Sequence, residues 1–168
     1  MNKSRNILFF VLVFLLQLAI SDYVNLGPWI TISLIPFLIL LFPVQRTPHV
    51  VLLSAFGLGL LLDWLSAGVL GLNAFAAVMT AAPHCLLRRR LLNNDRHEEI
   101  GIILLQDVGL SKYFHYLFIL TAIYLAAYIL LDCVSVRPIG FILVKFVAST
   151  LASTALGLLL AYAFQRRS

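Results

Sequence analysis

The chain is built from six apolar runs with little between them: Ile7 to Val24, Trp29 to Val44, Val50 to Leu65, Val69 to Leu87, Tyr113 to Leu131 and Ile139 to Phe164. Wound as a helix, an apolar run of about 17 to 25 residues matches the hydrocarbon thickness of a bilayer. The pattern therefore predicts an all-α polytopic membrane protein of six transmembrane helices, one integral domain over residues 1–168. Composition agrees: 62% of residues are hydrophobic and 11% charged, against roughly half and a quarter in soluble domains. The second and third runs are only about 16 residues each, so a re-entrant hairpin there rivals two full crossings.

Charge supplies orientation. Of the twelve Lys and Arg residues, those at Lys3, Arg5, Arg46, Arg88 to Arg90, Arg96, Lys112, Arg166 and Arg167 fall on one side if six helices alternate. Arg137 falls on the other, and Lys145 lies within a helix. The positive-inside bias then places both termini in the cytoplasm. The net charge of +5 is thus a matter of topology and anionic headgroups, and nucleic acid is not expected as a partner. The basic "MNKSRN", the apolar stretch after it and Ala19 with Ser21 also resemble a signal peptide, whose cleavage would leave five helices. Residues 88–112, "RRRLLNNDRHEEIGIILLQDVGLSK", form the one substantial polar stretch, read as a cytoplasmic loop with "IGIILLQ" able to lie along the headgroups.

Two charges sit inside the spans. Asp63 is about 13 residues up the third run, roughly 20 Å from its start, and Lys145 lies roughly 9 Å down the sixth. In a core of about 30 Å these depths coincide, which predicts that the two pair or share a polar pocket. The other possibility is that Asp63 accepts hydrogen bonds from the backbone of the following turn while Lys145 snorkels outward. Phe56, Gly59 and Asp63 recur at helical spacing on one face, and Gly57 and Gly59 would let another helix approach closely. After Asp63, Ser66, Gly68 and Gly71 suit a tight reversal in which Ser66 caps the next helix. On the last helix Ala148, Ser149, Ala152, Ser153 and Gly157 give small-residue spacings for packing within the bundle or against a partner. No serine–histidine, paired-aspartate or metal constellation lies within the spans, so neither catalysis nor a cofactor is expected.

The stretch "FGLGLLLDWLSAGVLGLNAFA", Phe56 to Ala76, resembles the signature of the MreD family of rod-shape-determining membrane proteins. Phe56, Gly59, Asp63, Ser66 and Gly71 match it; Ala67 stands where the family has glycine, with Gly68 one place later. The resemblance implies an S-component-like bundle and a non-enzymatic scaffold of the cell-elongation machinery. It would couple peptidoglycan synthesis to MreC, the filament MreB, and RodA with its penicillin-binding transpeptidase. The same resemblance offers an alternative, the substrate-binding S component of an energy-coupling-factor vitamin transporter. Such a component would need a small-residue docking surface on its first helix, which "ILFFVLVFLLQLAI" lacks.

Overall fold

A computed structural model describes residues 3–23, 29–42, 48–66, 69–92, 109–133 and 138–166. These residues form six helices and no strand: α1 Lys3–Tyr23, α2 Ile35–Leu40, α3 Pro48–Leu65, α4 Leu72–Leu92, α5 Leu110–Cys133 and α6 Ile139–Arg166. Three stretches are long and apolar enough to cross a membrane, Pro48–Leu65, Leu110–Asp132 and Ile139–Ala163, and Ile7–Tyr23 is a shorter apolar helix. Large apolar side chains point outward along them, among them Leu12, Leu53, Trp64, Val147 and Leu159. Such a surface suits lipid and would drive aggregation in water; the molecule is a helical membrane protein.

Helices α3, α4, α5 and α6 pack on one another in chain order, and α2 lies inside, against α1, α3, α4 and α5. Every residue of α2 is buried. Leu34, Phe37, Leu38 and Leu40 enter one apolar cluster with Tyr116 and Leu120 of α5. Ile35 and Ile39 enter a second with Ala55 and Leu62 of α3, Ala77 of α4 and Leu125 of α5. A helix apolar on all sides is stable only where protein surrounds it, and α2 is the pillar around which the longer helices are arranged.

The second run departs from the expected full-length helix. Residues 30–34 are not helical, and only the six residues of α2 wind up. Pro36 in the first turn of α2 suits a helix start, where no N–H is needed. A run this short could not cross as a helix, and the chain lies as partly unwound backbone inside the bundle. The third run is a complete helix, Pro48–Leu65, long and apolar enough to cross a membrane. At the opposite end, α4 runs on through Arg88–Arg90 to Leu92 and α5 begins at Leu110. The polar stretch is thus helical at both margins, because Arg and Leu are good helix formers. Residues 93–108, with the expected headgroup segment, lie outside the described residues.

A candidate polar site where α3 turns into α4

Asp63 occupies the last turn of α3 and is 2% exposed. An unpaired carboxylate there would be costly, and the chain supplies four donors. Oδ2 accepts from the Gly71 N–H at 2.9 Å and the Ala74 N–H at 3.2 Å. Oδ1 accepts from the Asn73 N–H at 3.1 Å and the Asn73 Nδ2 amide at 2.8 Å. Asn73 and Ala74 are the second and third residues of α4, whose N–H groups have no partner within the helix. Asp63 does for α4 what an N-cap side chain does, but from the preceding helix, with its charge at the positive end of the helix dipole. Ser66, expected to cap α4, is not the acceptor: the Asn73 and Ala74 N–H groups go to Asp63 and that of Leu72 to the Val69 carbonyl, while the Ser66 N–H donates to the Leu62 carbonyl at 2.8 Å.

The rest of the hairpin follows from this bond set. Gly71 has φ of +93°, a left-handed conformation that side chains disfavour, and it aims its N–H back at Asp63. Gly59 brings α3 against α4: a Cβ there would lie 2.5 Å from Ala74 Cα and 2.6 Å from the Asn73 carbonyl oxygen. Gly57, expected to serve the same approach, has nothing within 4 Å of such an atom and does not bring α3 against α4. Phe56 turns outward at 44% exposure. Gly68 lies outside the described residues. Asn73 extends the network to α5, since Tyr124 Oη donates to Asn73 Oδ1 at 2.5 Å.

The expected pairing of Asp63 with Lys145 is not what the structure has. Lys145 Nζ binds Asp132 Oδ2 at 2.8 Å. Equal depth does not bring two residues together: α4 and α5 separate α3 from α6 in the packing order. Lys145 is buried and does not snorkel outward; its partner comes from the end of the neighbouring helix.

The small-residue face of α6 is also used within the chain. Ser149 Oγ accepts from the Thr31 N–H at 2.9 Å and Ser153 Oγ from the Ser33 N–H at 3.0 Å. Four helical residues rise roughly 6 Å and two extended residues roughly 6.6 Å, so the serine spacing matches alternate N–H groups of an extended chain. From α1, Gln17 Oε1 accepts from the Leu34 N–H at 2.6 Å. Gly157 seats Leu117 of α5, whose Cδ2 would be 3.0 Å from an added Cβ. The sequence reading missed Gln17. Its signal was being the sole polar residue in the apolar core of the first helix.

At this same end of the molecule α1, the hairpin and α5 surround an open pocket of about 550 Å³. Ser21 and Asp22 line it from α1, Ser66 and Asn73 from the hairpin, and Tyr128 and Asp132 from α5. Asp63 and Lys145 each stand behind this lining, one through Asn73 and the other through Asp132. No protein-family profile, curated protein or solved structure matches the chain.

Proposed function

We propose that the chain is a non-enzymatic membrane scaffold of the MreD type, acting in the bacterial cell-elongation machinery. The observation that carries this reading is the joint role of the motif residues. Gly59, Asp63 and Gly71 form one staple between α3 and α4, and the carboxylate of Asp63 is engaged by four donors. A motif whose acid is consumed in holding two helices together suits a framework better than a catalyst.

In this reading the chain crosses the bilayer six times with both termini in the cytoplasm. Helices α1 and α4 join the three long spans. The sixth crossing would be the second run, in which the non-helical residues 30–34 lead into α2. Gly59 and the α6 serines are occupied internally, so a single-span partner such as MreC must use another face. Phe56, Leu60 and Trp64 are exposed at successive four-residue steps along α3, a row against which such a helix can pack. MreB would be met on the cytoplasmic side, and RodA with its transpeptidase within the membrane.

The test is depletion together with co-purification. Depletion should round rod-shaped cells, and Phe56→Ala with Trp64→Ala should cut recovery of MreC at unchanged protein level. The pocket of about 550 Å³ favours one second reading, the S component of a vitamin transporter. Normal cell shape with lost uptake of one vitamin would decide for that reading and against the scaffold.

A further inference from the structure

We propose that the pocket between α1, the α3–α4 hairpin and α5 binds a small organic ammonium group, either a free amine or the amine headgroup of a lipid. This assignment is independent of the scaffold reading and stands on three observations. The first is charge. Asp22 and Asp132 both line the pocket, and among the described residues only Asp132 has an ammonium beside it, Lys145 at 2.8 Å. Among the described residues Asp22 makes no hydrogen bond or ion pair, so the lining carries one uncompensated carboxylate.

The second is Ser66. It lines the pocket, it is 8% exposed, and its hydroxyl has no partner among the described residues. Buried hydroxyls are ordinarily hydrogen-bonded, so this one is placed for a group that enters the pocket. The third is size and chemistry. About 550 Å³ falls within the range of small-molecule sites and is far larger than a bare ion needs. Among the described residues no three His, Cys, Asp or Glu side chains converge as a metal ion would require. Leu65, Val69 and Leu72 complete the lining and suit a carbon skeleton attached to the ammonium.

The test uses the full chain in nanodiscs of phosphatidylglycerol, which has no ammonium. Ethanolamine is titrated by calorimetry, and in a parallel arm phosphatidylethanolamine is mixed in and the lipids retained per chain are counted by native mass spectrometry. Saturable uptake of one ethanolamine identifies a free amine. Selective retention of one phosphatidylethanolamine identifies the headgroup. Asp22→Asn should weaken the binding about tenfold, the scale of one charge-assisted hydrogen bond, and Ser66→Ala about fivefold. Both variants should keep the wild-type melting temperature, because neither side chain has a partner among the described residues. Absence of binding in both arms, or wild-type binding by Asp22→Asn, overturns the proposal. Loss of amine binding with cell shape intact would separate this site from the scaffold role.

Discussion

Asp63 illustrates how a membrane interior treats a carboxylate: it is kept where backbone donors are already in surplus. Replacing it with alanine removes four hydrogen bonds and leaves the α4 N–H groups without acceptors, a loss of about 3 kcal/mol readable by unfolding in detergent micelles. A double-mutant cycle distinguishes the two candidate partners of Lys145. Asp63→Ala with Lys145→Met should be additive within about 0.5 kcal/mol, as for side chains that share no contact, whereas Asp132→Ala with Lys145→Met should show coupling beyond that. The glycines divide in the same way. Gly59→Ala forces α3 from α4 and should cost about 2 to 3 kcal/mol, whereas Gly57→Ala meets open space and should stabilise the helix by up to about 1 kcal/mol; equal effects in thermal unfolding would refute the close approach. The sequence makes Asp63 visible as an acid at the base of a hairpin, because hydropathy marks every charge in an apolar run. Its backbone donors in the following turn were one of the two readings the sequence offered, and they are the ones found; the partner of Lys145 was not legible, because depth along a helix says nothing of angular position around a bundle.

Among the elements, the second run taught most. Apolar content alone cannot separate a buried unwound segment from a helix, and both readings satisfy the same hydropathy. What separates them is backbone accounting: non-helical N–H groups in a membrane need acceptors from elsewhere. Gln17, Ser149 and Ser153 are those acceptors, and in the sequence they look like isolated polar residues and packing spacers. Ser149→Ala with Ser153→Ala should cost about 2 to 4 kcal/mol in total and speed amide exchange at Thr31 and Ser33. Unchanged exchange at those two amides would show that the serines do not hold the segment. The long helices α3, α5 and α6 were legible to within a few residues, since length and apolarity determine them directly.

For the whole molecule, sequence predicts the helical membrane class and the fold shares it, while the packing order α3–α4–α5–α6 around a buried α2 had no sequence signature. Reporter fusions at residues 93–108 and at both termini should give the same cytoplasmic signal under the six-crossing arrangement; opposite signals would refute it. The threaded segment has a consequence for how the protein is made. Its acceptors Ser149 and Ser153 lie 118 and 120 residues after the Thr31 and Ser33 amides they serve, so those two amides wait through the synthesis of α3, α4 and α5 without them. Insertion and completion are therefore separate events, and a nascent chain stopped before α6 should be a target for quality-control proteases however well its first helices have entered the bilayer.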